Sequence, residues 1–211
     1  MAVPSVIRTR RWGPATSALV RRLATATEPV NQVALARELG VSQPRISQIV
    51  RLLTQHGVAV NQFHSPTQRR RLVDLYVRHH RQDTKSDAFF YGLDTPYEQV
   101  EQLVDEAHRA RVRIAVSADL APDLIAPWRT PTLTVVYAQR PFGPQSLVPA
   151  MARGEATIIV RTVTDSALLE PWETHRGIPL SHPVQQVWDL HDLGGEDRKE
   201  AADRLLSQVS R

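Results

Sequence analysis

The segment Gln32-Val-Ala-Leu-Ala-Arg-Glu-Leu-Gly-Val-Ser-Gln-Pro-Arg-Ile-Ser-Gln-Ile-Val-Arg51 has the spacing of two short helices crossing over a tight turn. A steep crossing needs a small side chain at closest approach, and Ala36 is placed there. It needs a residue that tolerates positive φ in the turn, and Gly40 follows four positions later. Leu35, Leu39, Val41, Ile46 and Ile49 take the positions that face between the helices. Ser42 stands where a side chain caps a helix, and Pro44 suits the first turn. The segment reads as a helix-turn-helix, with Ser42 to Arg51 as its recognition helix.

The outward positions of that helix are Gln43, Pro44, Arg45, Ser47, Gln48 and Arg51, and none is acidic. Gln pairs bidentately with adenine, Arg with guanine, and Ser with either base or phosphate. Gln43, Arg45, Ser47 and Gln48 are therefore the expected readers of base edges, and Arg51 the expected phosphate contact.

Outward from this segment, Pro14 to about Ala26 reads as a preceding helix with Leu19, Val20 and Leu23 inward. The third helix runs to about His56, where Gly57 stops it. Val58 to Phe63 alternates like a strand and is the expected wing. Thr67 to Arg81 reads as a basic helix, in which Arg69, Arg70 and Arg71 are expected to line phosphates. Arg8, Arg10 and Arg11 form a basic arm suited to a neighbouring minor groove.

Charge divides the chain at the end of this region. Residues 1–81 hold 13 arginines against three acids, a net of +10, while residues 82–211 carry a net of −6. The first part suits a polyanion, and the second has a different task. The chain has no Cys, which excludes a disulfide scaffold, a thiolate zinc site and a cysteine nucleophile. No apolar run approaches the roughly 20 residues of a membrane span, and the N-terminus lacks the apolar core of a signal peptide. A cytoplasmic protein without membrane partners is the expectation.

The second part alternates between strand and helix periods. Strands are expected at 88–92, 113–118, 132–138 and 156–163 and helices at 95–111, 119–126, 183–193 and 196–209, with a Pro/Gly-rich loop at 141–149. No catalytic constellation stands out. Asp119 and Asp123 lie four apart on one expected helix, His175 and His182 flank a loop, and Trp128, Trp172 and Trp188 suit a core short of aromatics. A P-loop, a dinucleotide glycine fingerprint and a metal-ligand pattern are all lacking. Neither an enzyme nor a cofactor is expected.

Three stretches together resemble a known family. They are the helix-turn-helix, the run Gln68-Arg-Arg-Arg-Leu-Val-Asp-Leu-Tyr-Val-Arg78, and the tail Ser181-His-Pro-Val-Gln-Gln-Val-Trp-Asp-Leu-His-Asp-Leu-Gly-Gly195 with Glu200-Ala-Ala-Asp-Arg-Leu-Leu206. In this order they resemble the AbiEi-type antitoxins of type IV toxin–antitoxin systems. The resemblance implies a promoter-binding autorepressor whose second domain counters a nucleotidyltransferase toxin without a stable complex.

The sequence therefore leads to an α/β (α+β) chain of two domains. Residues 1–81 form a winged helix-turn-helix DNA-binding domain, and residues 82–211 a mixed α/β domain ending in two helices. The expected function is sequence-specific repression at an operator in double-stranded DNA, with an inverted repeat read by a homodimer or two adjacent monomers. In-phase major grooves place two such helices ~34 Å apart. A ligand-sensing regulator and a plasmid or phage replication or partition protein are the rival readings.

Overall fold

The computed structural model describes residues 12–59, 65–81 and 84–209. The chain divides into two compact units, Met1–Gln82 and Asp83–Arg211.

The described part of the first unit is helical: α1 (Pro14–Ala24), α2 (Gln32–Glu38), α3 (Gln43–Gln55) and α4 (Pro66–His79). Apolar residues at helical spacing explain each one. Leu19, Val20 and Leu23 of α1, Leu35 of α2, Ile46, Ile49 and Leu53 of α3, and Leu72, Leu75 and Tyr76 of α4 are all buried. Side chains of this size contribute about 1.5–3 kcal/mol each when fully buried. Helix α1 packs on α4, and α2 on α3.

Both ends of the α2–α3 pair are closed by the same device. Gly40 adopts φ 63°. Its N–H donates to Arg37 O at 3.3 Å, and the Val41 N–H to Ala36 O at 3.0 Å. Gly57 repeats the arrangement at the end of α3, with φ 77° and bonds from Gly57 N–H to Thr54 O and Val58 N–H to Leu53 O. These are Schellman turns, which reverse the chain through a left-handed residue and satisfy helix-end carbonyls.

The start of α3 departs from expectation. Ser42 occupies the cap position, but its hydroxyl makes no capping bond. The side chains that cap are Asn31, accepting from Val33 N–H, and Ser65, accepting from Gln68 N–H. Most of the expected wing strand, residues 60–64, lies outside the described residues; Val58 and Ala59 are not in a strand.

The second unit is built on a seven-stranded mixed sheet: β1 (Thr84–Tyr91), β2 (Ile114–Ala118), β3 (Thr134–Ala138), β4 (Val148–Pro149), β5 (Ile158–Val163), β6 (Glu173–His175) and β7 (Ile178–Leu180), in the order β4-β1-β5-β3-β2-β7-β6. Strands β3 and β5 are parallel, as are β2 and β7; the other pairs are antiparallel. Strands β2, β3 and β5 are buried at every position, so both faces of the sheet centre are covered. Helices α5 (Pro96–Arg109), α6 (Leu120–Ile125), α7 (Pro183–Leu193) and α8 (Glu196–Val209) complete the unit. Val100, Leu103 and Ala107 of α5 join Val116, Val136 and Val160 in one core cluster; Val135, Tyr137 and Ile159 belong to a second.

Three features differ from the sequence reading. Strand β1 begins at Thr84 rather than Ala88, β4 lies inside the Pro/Gly-rich loop, and His175 belongs to a β6–β7 hairpin. That hairpin turns at Arg176 and Gly177, with φ of 49° and 87°, the signs required by a two-residue primed turn. Among the described residues, no helix is long and apolar enough to cross a membrane.

Candidate nucleic-acid interface

Burial along α3 has a clear phase. Ile46, Ile49 and Leu53 face inward, so the opposite stripe is Pro44, Gln48, Arg51 and Gln55 at i, i+4, i+7 and i+11, all exposed. Gln43 and Arg45 flank the stripe and are exposed as well. The Arg45 guanidinium reaches Gln48 Oε1 at 3.4 Å, which places two of the expected base readers side by side. Gln55 continues the stripe beyond Arg51. Its position in the helix repeat is the signal that identifies it.

No carboxylate lies on α3. Of the three acids elsewhere in the unit, Glu38 is held by Arg22 at 2.8 Å, Asp74 lies 3.6 Å from Arg70, and Glu28 is exposed in the segment between α1 and α2. The exposed face of α3 therefore carries hydrogen-bonding amides and guanidinium groups and no carboxylate.

Two residues expected at the DNA surface have partners within the protein. Ser47 is half-buried, and its hydroxyl donates to Gln32 Oε1 at 2.8 Å, so it fastens α3 to the start of α2. Arg69 is 7% exposed and its guanidinium donates to Ala26 O at 2.9 Å. It ties α4 to the end of α1 and does not line a surface. Its neighbours remain outside: Arg70 is exposed, and Arg71 is exposed while donating to Gly57 O at 2.8 Å. Arg8, Arg10 and Arg11 lie outside the described residues.

A polar seam fixes α4 against α1. Arg21 donates to the Tyr76 hydroxyl at 2.9 Å, Ser17 Oγ lies 3.0 Å from His80 Nδ1, and the Tyr76 and His80 rings stack at 4.5 Å. Trp12 stacks on His79 at 5.2 Å, with His56 5.1 Å from the same ring. Desolvation, then His56, Arg78 and Arg81, hold the His79 imidazole below its ordinary pKa of 6.5.

The second unit contains two polar clusters in place of the pairs considered from sequence. Asp189 of α7 is fully buried and meets three strands. Ser117 Oγ donates to it at 2.5 Å, the Tyr137 hydroxyl lies 2.6 and 2.8 Å from its two oxygens, and Arg161 Nη1 is 3.5 Å away. Gln185 donates to Tyr137 Oη at 2.7 Å, and Asp87 binds the Arg161 guanidinium at 3.1 and 3.2 Å. Burial pushes Asp189 up to about 6, against the opposing effects of Arg161, Ser117 and Tyr137.

Asp119 organises the second cluster. Arg198 grips it at 2.7 and 2.9 Å, Arg129 at 3.2 Å, and the N–H groups of Thr132 and Leu133 donate at 3.1 Å. Burial raises its pKa, but the hydrogen bonds and charge of Arg198, with Thr132 and Arg129, outweigh that and hold it below 3.8. Ala118, just before it, adopts a left-handed φ of 56°. Asp123 does not pair with Asp119; it accepts from Trp128 N–H.

The tryptophans also differ from expectation. Trp188 is buried, but Trp128 and Trp172 are 41% and 43% exposed. The Arg204 guanidinium lies 3.5 Å over the Trp128 ring, and Trp172 meets His182 edge-on at 4.8 Å. His182 caps α7 by accepting from Val184 N–H. Among the described residues, no group of three or more His, Cys, Asp or Glu side chains is placed to hold a metal ion.

No protein-family model matches the chain, and neither a curated protein nor a solved structure has significant similarity to it.

Proposed function

We propose that this protein is a sequence-specific repressor that binds double-stranded DNA through α3. One observation carries the reading: the exposed stripe Pro44–Gln48–Arg51–Gln55, flanked by Gln43 and Arg45, contains no acid and projects from a helix fixed by Schellman turns. Its unit has a net charge of +10. Base readout then rests on Gln43, Arg45 and Gln48, with Arg51, Arg70 and Arg71 on phosphates. The family resemblance of the tail supports autoregulation and a toxin-countering role for the second unit.

The test is footprinting on the DNA upstream of the protein's own gene, at stated salt, with Arg45→Ala and Arg51→Ala beside wild type. Arg45→Ala is expected to lose ~1–3 kcal/mol at the specific site and relax one base position. Arg51→Ala is expected to weaken all sequences alike and flatten the salt dependence. A wild-type protein that binds every sequence equally at 50 and 200 mM salt refutes sequence-specific repression.

A second reading, ligand sensing, has one supporting feature. An open groove of about 540 Å³ lies between α6 and α8, lined by residues that include Pro127, Glu200, Asp203 and Arg204. A thermal shift with a metabolite, abolished by Glu200→Ala, is its expected signature.

A further inference from the structure

Ser47 and Gln32 meet at the edge of the exposed α3 face. The Ser47 hydroxyl donates to Gln32 Oε1 at 2.8 Å, across 15 positions of sequence. Both residues are half-buried. Ser47 stands one helical turn from Gln43 and one from Arg51, at i−4 and i+4, and those two neighbours are exposed. The Gln32 carboxamide, carried by the first residue of α2, is therefore fastened beside two side chains of the DNA-facing surface.

A carboxamide has two unlike ends, an oxygen that accepts and an NH2 group with two hydrogens to donate. Ser47 takes the oxygen. Gln32 Nε2 has no partner among the described residues, and it is not among the enclosed polar atoms that lack one, so it is open to solvent. Held in this way, the side chain presents donors and no free acceptor of comparable reach. Phosphate oxygens require donors alone, and Gln side chains are among the groups that supply them. An adenine edge is a poorer match, because Gln reads it with both ends of the amide and here one end is occupied. The first turn of α2 contains no acid and α3 contains none. Glu38, at the far end of α2, is held by Arg22, and Glu28 lies outside both helices.

We propose that Gln32 is a phosphate-binding residue of the DNA interface, and that Ser47 is the positioning residue that holds its carboxamide by Oε1 and turns Nε2 toward the duplex backbone. The proposal rests on the reading of α3 as the DNA-binding helix. It adds a contact from α2 and gives Ser47 an indirect part in binding.

Titration of the full chain with two duplexes tests it, one from the DNA upstream of its own gene and one of scrambled sequence, between 50 and 200 mM salt. Gln32→Ala is expected to weaken binding to both duplexes about tenfold. The slope of affinity against salt is expected to stay unchanged, because a neutral amide displaces no counterion. Ser47→Ala leaves the donor present but unheld and is expected to lose less. In the Gln32→Ala background it is expected to lose nothing further, since its effect runs through Gln32. Gln32→Glu keeps the Ser47 bond at the same size but turns a carboxylate oxygen toward the phosphate. It is expected to melt with wild type and to bind more weakly than Gln32→Ala.

Four results overturn the proposal. They are wild-type affinity in Gln32→Ala, equal losses in Gln32→Ala and Ser47→Ala (the signature of a brace between helices alone), additive losses in the double variant, and Gln32→Glu binding as tightly as Gln32→Ala. A wild type that binds neither duplex removes the DNA-binding reading and this contact together. A wild type that binds, and is weakened by Arg51→Ala but not by Gln32→Ala, removes this contact and leaves the reading of α3 standing.

Discussion

Replacing Asp189 by Asn removes one charge at nearly constant volume from the most enclosed polar cluster of the second unit. Asp189 is fully buried, and Arg161 beside it is 5% exposed. The substitution leaves Arg161 with Asp87, bound through two contacts, and with Asp192 at 3.8 Å. Because burial outweighs the charge pairing at Asp189, the expected loss comes from the Ser117 and Tyr137 hydroxyls, one of which then faces an Asn NH2 group that cannot accept, and is about 1–3 kcal/mol. The pH dependence gives a sharper signature. The folded pKa of Asp189, about 6, lies above its ordinary 3.8. Between those values the folded state binds more protons than the unfolded chain, so this group's contribution to stability falls as pH rises from 3.8 to 6 and is level above. Asn lacks this dependence. The gap between wild type and variant is therefore expected to widen by roughly 1.3 kcal/mol between pH 7 and pH 5. Urea unfolding followed by tryptophan fluorescence measures it, since Trp128, Trp172 and Trp188 lie in this unit and only Trp12 in the other. A loss below about 1 kcal/mol at pH 7, or a gap that stays constant to pH 5, refutes the role assigned to the cluster.

The second cluster responds to acid in the opposite sense. The folded pKa of Asp119 lies below 3.8, so its stabilisation is complete above that value and lost as pH falls through the folded pKa; acid unfolding of Asp119→Asn is expected to converge on wild type at the acid end. Gly40→Ala is expected to cost about 1 kcal/mol from left-handed backbone alone, because the added Cβ meets nothing within 4 Å; thermal melts of the first unit measure it. His79, with its folded pKa below 6.5, is expected to titrate by NMR below free histidine, and the first unit to lose stability as pH falls from about 6.5. Neutralising His56 by His56→Gln is expected to raise the His79 midpoint; an unchanged midpoint excludes their coupling.

Helix formation was legible because its causes are local. The α3 stripe follows from residue spacing, and the left-handed Gly40 and Gly57 stand where the sequence places them. Strands β2, β3 and β5 were legible from the strand period, β3 as a run rich in β-branched residues. The strands β4, β6 and β7 were not, since segments of two or three residues have no period and exist only through their partners. The tail 181–206 was visible as a pattern, but not its purpose. Asp189 shares its helix face with Gln185, Gln186 and Asp192, so the sequence of α7 does not mark it as a buried carboxylate; Ser117, Tyr137 and Arg161, which receive it, lie on three separate strands.

Adjacent identical residues mark the boundary most clearly. Arg69, Arg70 and Arg71 read alike along the chain, yet Arg69 is enclosed while Arg70 and Arg71 are exposed. A helix turns about 100° per residue, so three neighbours cannot share an environment, and the choice of Arg69 depends on the Ala26 carbonyl 43 positions away. Ser47 is drawn to Gln32 in the same way. The sequence by itself determined the two-part α+β organisation, the charge split and the acid-free face of α3, because composition and helical period are properties of neighbours. Tertiary structure alone decided which cations remain at the surface and how Asp119 and Asp189 are held, because each depends on groups brought together from distant parts of the chain.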